Sequence, residues 1–479
     1  MTIRFIIKLW VLTVSFTFAL GDPASQAQAE TALYTGFTLL DPDTETRTPD
    51  AYMLVEDGRI AALGSGAPPA GLLADEAHDM TGLYALPGFI DAHGHVTVGL
   101  QKVAINDGAP LLYHEADEAV TEHAGRIALA FGVTTMRNPA GDPEANASYD
   151  ARIASGEWLG PEVLHAGAII EPPPMGGPSV AYPRTPEEWD AEAAREAALG
   201  MRYLKLYTDL SEDEIAEGVR AAHAHGLKAI AHLNTVSWTR AAELGVDGLE
   251  HALPTSPDLL EPEARAEYLA GLGPDSKFMY RWFELADYDG PLFRELVDTL
   301  ADRRITTNMT LVVNELVYNL DRLDEVAGPE WRALELPQSL ENWRTTILGS
   351  GAGWTPEDYE RARAAMPKVL EFTRRLHDAG VPMMIGTDSR GGTTFYAREL
   401  ELHVEAGIPV WEVLRMATSK TADILEIGDR TGRVREGYEA DVAFLEADPS
   451  LDIASAERVR AVLTNGDLLI AATLKGEAQ

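Results

Sequence analysis

His93 and His95 close the apolar run LPGFIDAHGHV (86–96), separated by a single glycine. On an extended strand, residues two apart point to one side with Cα atoms roughly 6.5 to 7 Å apart, so two imidazoles there can converge on one metal ion at about 2.1 Å. Two core histidines satisfied by backbone carbonyls would be the bland alternative, and the pairing on one strand end makes it the minority reading. A control lies in the same chain, where HAH recurs at His223 to His225. Ser211 and Glu214 read as a capping box ahead of it and Gly226 as the stop after it, so this segment is a helix. Two positions on a helix are about 200° apart, and those imidazoles diverge as surface or packing residues.

Four further polar residues end apolar runs: Lys205 in LKLY, His232 in IAHL, His251 in GLEH and Asp388 in IGTD. One such residue has many innocent explanations, such as capping; four beside an HxH do not share one easily. The elements that must position them alternate short apolar runs with Ala/Glu/Arg-rich helical stretches, the pattern of βα units around a parallel sheet. The candidate strands are 85–92, 132–138, 162–168, 202–207, 227–233, 246–251, 304–313 and 381–388. They predict an α/β protein, a (β/α)8 TIM barrel, with its site at the C-terminal strand ends. The stretches 254–303 and 314–365 exceed one crossover helix and predict extra helices or lids.

Both ends of the chain read as β structure. Asp57-Gly58 and Asn465-Gly466 each sit between alternating runs, the chemistry of tight hairpins. A small β-sandwich domain built from both termini is therefore expected, with parts at 30–84 and 426–479 enclosing a barrel at 85–425. Residues 1–29 read as a signal peptide. Arg4 and Lys8 precede the short apolar core LWVLTVSFTFALG, and AQA at 27–29 offers a cut before Glu30. The apolar stretch falls short of the ~20 residues an uncleaved anchor needs, so a periplasmic or secreted protein is expected.

Composition narrows the chemistry. At 479 residues, 46% hydrophobic and 24% charged, the chain can build one large domain and a smaller one. The 76 acidic against 39 basic residues leave a charge of −37, which repels nucleic acid and anionic lipid and is mostly a solvated acidic surface. With no cysteine there are no disulfides, thiolate ligands or thiol nucleophiles, so a metal must sit on histidine, carboxylate or something less common.

PGFIDAHGH, GVTTMRN, KLYTDL, AHAHGLKAIAHL, GVDGLEHAL, IGTDS and the closing MATSKTADILEIGDRTGRVREGYEADVAFLEADP together resemble the amidohydrolase superfamily over nearly all of the chain past residue 30. The likeness is to the imidazolonepropionase-like and prolidase-like branch, which includes Xaa-Pro dipeptidases and ochratoxin amidases. That resemblance implies two zinc ions, or another divalent metal. His93, His95 and Asp388 would hold the buried one, His232 and His251 the exposed one, and a carboxylated Lys205 would bridge them. It also implies a shared hydroxide attacking the scissile carbonyl, with Asp388 as general base and then general acid. Tyr207, two residues after Lys205, is either a second donor to the substrate carbonyl or a packed aromatic at the rim. Arg137 and Arg390 are candidate anchors for a substrate carboxylate, with a structural salt bridge the favoured reading of each. His165 is read as structural. Asn138 departs from the aspartate of many relatives.

The activity expected is hydrolysis of an amide or peptide C–N bond in a small molecule: a dipeptide such as Xaa-Pro, an N-acyl amino acid or an ochratoxin-like amide. No nucleic-acid partner is expected, nor stable membrane association once the signal is cut, and a homo-oligomer is left open. The alternatives are a mononuclear cyclic-amide hydrolase of imidazolonepropionase type, a lactone or ester hydrolase, and a metal-free binding protein. Deaminases of this superfamily carry a glutamate three residues after the fifth-strand histidine, where this chain has Thr235. No G-x-S-x-G, P-loop or G-x-G-x-x-G occurs.

Overall fold

The apolar runs fold as short parallel strands: β1 (Phe89–Asp91), β2 (Val133–Asn138), β3 (Glu162–Ile170), β4 (Tyr203–Leu206), β5 (Lys228–Ala231), β6 (Gly248–Glu250), β7 (Thr306–Asn308) and β8 (Met383–Met384). They pair in sequence order, β8 through to β1, in one curled sheet. The computed structural model describes residues 31–106, 109–273, 275–326, 331–342, 351, 353–390 and 394–476. The expected signal segment, 1–29, lies outside the described residues.

The first and last strands meet. Ala92 N donates to the Ile385 carbonyl at 2.8 Å, and Gly94–His95 runs parallel to Ser389–Arg390. Asp91 locks this seam by accepting from His93 N (3.0 Å), Thr387 N (3.2 Å) and Thr387 Oγ1 (2.7 Å). Inside the curl, Ile90, Ala92, Leu164, Ala166, Tyr203, Ile230 and Met384 fill the floor. Outside, helices cover the strands with apolar stripes. Glu212–Ala224 begins at the Ser211–Glu214 capping box and buries Ile215, Val219 and Ala222, spaced as one helix face requires.

The terminal segments share one sheet, in the order Asp467–Ile470, Val459–Thr464, Val442–Leu445, Tyr84–Pro87, Thr31–Asp41, Thr46–Glu56, Arg59–Ser65, with Glu76–Asp79 beside Thr31–Asp41. Tyr34, Phe37, Met53, Ile60, Val442 and Phe444 form its core. A second, stacked sheet of a sandwich is not separate from it among the described residues. Both hairpin turns are as expected: Asp57-Gly58 and Asn465-Gly466 all have positive φ (50°, 72°, 51° and 88°), as a type I′ turn requires.

Three departures matter. The run 85–92 is two strands, because Gly88 N donates to the Asp441 carbonyl and a Cβ at Gly88 would collide with Thr134 Oγ1. Strand β7 stops at Asn308 and Leu311–Tyr318 is a helix, where 304–313 had read as one strand. A hairpin, Leu100–Asn106 with Ala109–Glu115, follows the first strand and pairs with Met175–Gly176; nothing in the sequence reading anticipated it. The long insertions do hold helices, among them Pro262–Ala270, Phe278–Leu285 and Pro291–Arg303 in the first and Leu323–Val326, Trp331–Leu334 and the start of Pro356–Asp378 in the second. No described helix is long and apolar enough to cross a membrane.

Candidate metal centre

The candidate ligands gather at the C-terminal ends of the strands. His93 and His95 stand just past β1, which ends at Asp91, so the seam with Ser389–Arg390 orients them rather than one continuous strand. Lys205 lies within β4, His232 and His251 one residue beyond β5 and β6, and Asp388 beyond β8. Ring centroids are 5.3 Å apart for His93 and His95, 4.6 Å for His93 and His251 and 4.4 Å for His232 and His251. His223 and His225 diverge as expected, toward Asp247 and Asp190 respectively.

Hydrogen bonds set the tautomers. His93 Nδ1 lies 2.7 Å from Glu250 Oε2, and an ionised carboxylate only accepts, so Nδ1 carries the proton. His95 Nδ1 likewise donates to the Ala140 carbonyl at 3.3 Å. Both Nε2 lone pairs then face Asp388 Oδ1, at 3.5 Å from His93 and 3.0 Å from His95. Three acceptors with no proton between them repel one another unless a cation sits among them. The ligand atoms of His93, His95 and Asp388 all lie within 4.8 Å of one another, which suits a metal ion.

The electrostatics agree. Burial holds the His93 imidazole down to about 4 and, with His93 beside it, His251 to about 3; burial, His251 and Lys205 keep His232 well below its usual value. All three are neutral at ordinary pH, the form that ligates metals. Burial alone would raise Asp388, but His251, His95 and His93 around it hold its carboxyl well below the usual range. Burial lowers the Lys205 amine to about 8, against the pull of Glu250, so more of it is unprotonated near neutrality than of a surface lysine. Both ring nitrogens of His232 and both amide atoms of Asn308 are buried with no hydrogen-bond partner among the described residues. The pocket therefore has unmet polar demand, as residues poised for a bound metal would.

Beneath the candidate ligands Arg137 pairs with Glu250, a partner that sequence reasoning missed. Arg137 Nη2 donates to both oxygens of Glu250 (2.7 and 2.6 Å), Arg137 Nε donates to the Ala92 carbonyl (2.6 Å), and both side chains are 1% exposed. Burial would raise Glu250, yet Arg137 and His93 hold it well below the usual carboxylate range. Glu250 is thus the carboxylate that orients His93, the arrangement that fixes metal-binding imidazoles. Its signal was a lone acid inside the buried strand GLEH. Of the two readings of Arg137, substrate anchor or structural salt bridge, the pairing with buried Glu250 is the salt bridge; Arg137 borders a cavity of about 140 Å³ with Tyr203, Ile230 and Met384 below the site and does not stand at its mouth.

The other assignments fall as follows. The Tyr207 ring packs edge-on against His232 at 5.0 Å and lies 5.9 Å from Lys205 Nζ, at the site. Arg390 pairs through its backbone with His95; its side chain is outside the described residues. Asn138 is turned away, donating to Thr97 Oγ1 at 2.8 Å and to Asn146 Oδ1 at 3.2 Å, and His165 lies 3.1 Å from both Asn138 Nδ2 and Asp150 Oδ1, a structural role.

Fold and site together define a class: a curled parallel α/β sheet with a His-His-Asp cluster fit for a metal at its C-terminal strand ends. Residues 309–469 match the model of the amidohydrolase family. Ochratoxinase of Aspergillus niger is 35% identical over 121 residues, which is 24% of this chain and 24% of that protein, so the match spans about a quarter of the relative's length. Imidazolonepropionase of Cupriavidus necator is 24% identical over 444 residues, covering 91% of this chain and 94% of that protein. The crystal structure of a Xaa-Pro dipeptidase with bound methionine shares the fold, with a TM-score of 0.65 and 19% identity over 92% of this chain and 100% of that one.

Proposed function

We propose that this protein is a metal-dependent hydrolase of an amide or peptide C–N bond, with Xaa-Pro dipeptides, N-acyl amino acids and ochratoxin-like amides as the substrate classes to test. The observation that carries the reading is the proton-free cluster of His93 Nε2, His95 Nε2 and the Asp388 carboxylate within 4.8 Å, whose Asp388 falls in the segment 309–469 that matches the amidohydrolase family. In this reading His93, His95 and Asp388 would hold one divalent ion, His232 and His251 would hold a second, and Lys205, as a carbamate, would supply anionic oxygens to the site. Such ions, zinc first among them, supply Lewis acidity and an activated water when bound.

The chain's own groups do the rest. Asp388 is ionised at neutral pH, accepts a proton as water adds to the carbonyl carbon, and returns it to the nitrogen as the C–N bond breaks. Tyr207, beside His232, donates to the carbonyl oxygen as negative charge develops there. Glu250 and the Ala140 carbonyl keep His93 and His95 in the ligating tautomer. The first 29 residues support export, with catalysis outside the cytoplasm.

A specific observation favours a second reading, a mononuclear cyclic-amide hydrolase. The ligand atoms of His93, His95 and Asp388 lie within 4.8 Å of one another and suffice for one ion, and the imidazolonepropionase alignment spans 91% of the chain. Elemental analysis of protein purified without chelators from zinc-supplemented, bicarbonate-containing medium separates the two, followed by a panel of dipeptides, acyl amino acids, cyclic amides and lactones. Two metals per chain with dipeptide or acyl-amide turnover supports the first reading, and one metal with cyclic-amide turnover the second. No metal, with no uptake on adding zinc, overturns both in favour of a metal-free binding protein.

A further inference from the structure

His251 is the ligand candidate whose orientation depends on a neighbouring strand end. Its Nδ1 lies 2.9 Å from Thr310 Oγ1 and 3.9 Å from Asp388 Oδ2. Thr310 sits where the expected seventh strand breaks, in the left-handed region at φ 44° and ψ 50°. A β-branched residue rarely adopts that backbone, and glycine would adopt it freely.

The turn is held from both sides. Before it, the carbonyls of Asn308 and Met309 accept from His251 N (2.6 Å) and Ala252 N (2.7 Å), tying the end of β7 to that of β6. After it, the buried Glu399 carboxylate accepts from Leu311 N (3.0 Å) and Val312 N (2.8 Å), the first N–H groups of the helix Leu311–Tyr318. Glu399 belongs to the helix Tyr396–Glu405, which follows β8. Three successive βα units therefore fix one fully buried hydroxyl against one imidazole. Since glycine would remove the backbone strain, the side chain is the reason for the position to be threonine.

We propose that Thr310 is a positioning residue for His251: its hydroxyl accepts the Nδ1 proton and so leaves the Nε2 lone pair for the metal site. The metal part of this inference rests on the proposed function; the tautomer part does not. The test uses the full chain with ¹⁵N-labelled histidine, His251 being assigned from the spectrum of His251→Gln. In metal-free wild type the Nδ1–H form is expected, with Nε2 unprotonated. Thr310→Val keeps the shape and removes the hydroxyl, and is expected to abolish that preference and weaken zinc binding, read by chelator competition, about 10- to 100-fold. Thr310→Gly should weaken zinc comparably while relaxing the backbone, and it stands in if the valine variant does not fold. Thr310→Ser should stay within about threefold of wild type.

An Nε2–H tautomer in wild type, wild-type zinc affinity in the valine and glycine variants, or a serine variant as weak as valine would each overturn the proposal. Should wild type bind no zinc, the proposed function falls. The tautomer comparison between wild type and Thr310→Val then decides this inference alone: loss of an Nδ1–H form supports it, and no difference overturns it.

Discussion

Replacing Glu250 by glutamine tests how the buried pair serves the site. The carboxylate accepts from Arg137 Nη2 at 2.7 and 2.6 Å and from His93 Nδ1 at 2.7 Å, in a pocket where all three side chains are 1% exposed. Glutamine keeps the shape but leaves the guanidinium buried without a counter-charge, a change worth about 3 to 5 kcal/mol. Unfolding entropy of about 2.1 cal/mol/K per residue comes to roughly 1 kcal/mol/K for a chain of this length, so the metal-free protein should melt about 3 to 5 °C lower. With its carbonyl on Arg137, the new amide presents N–H to His93 Nδ1. The imidazole proton must then move to Nε2, the face toward Asp388, and zinc affinity should fall about 10- to 100-fold. Calorimetry of metal-free protein reads the first effect and chelator competition the second. An unchanged melting temperature together with wild-type zinc affinity would refute the reasoning, because it would mean that Glu250 neither neutralises Arg137 nor sets the tautomer of His93.

Asp388→Asn and Lys205→Ala should each remove most hydrolytic activity while circular dichroism and melting stay folded-like; full activity in either would overturn the assigned mechanism. Chelation should lower the melting temperature and zinc should restore it, by about 3 °C where free metal is held at 100 times its dissociation constant, equivalent to about 2.7 kcal/mol; identical melting curves would count against a resident metal. Burial pushes Asp441 up from 3.8 to about 6, despite Thr431 and Thr464 donating to it. The folded state binds that proton more tightly, so stability declines as pH rises from about 4 to about 6, by at most about 3 kcal/mol. Asp441→Asn should therefore gain on wild type between pH 4 and pH 7, and a constant difference in melting temperature would contradict this. Mass spectrometry of exported protein should find a chain starting near Glu30; an intact Met1 would mean the leader is retained.

Much of the site was legible because strand ends announce themselves: a polar residue closing an apolar run, repeated at Lys205, His232, His251 and Asp388, with the glycine-spaced pair at His93 and His95. The helix cap at Ser211 separated that pair from its decoy at His223, and two Asx-Gly turns marked hairpins that the fold contains. Such signals are local, carried by residues within one turn or one strand of each other. The hairpin Leu100–Asn106/Ala109–Glu115 was missed because its pairing, and its contact with Met175–Gly176, belong to no single local pattern.

Residue types and spacing determined on their own that this chain has parallel βα units, β segments at both ends, and histidine, lysine and aspartate side chains at the strand ends, because periodicity and turn chemistry act over a few residues. Only the tertiary structure decided that Arg137 lies under the site rather than at its mouth, that Glu250 and the Ala140 carbonyl choose the tautomers of two histidines, and that the seventh strand stops at Asn308 so that Thr310 meets His251. Each of those depends on which distant group reaches a buried proton donor or acceptor, and in a low-dielectric interior that partner sets both the charge and the direction of the side chain.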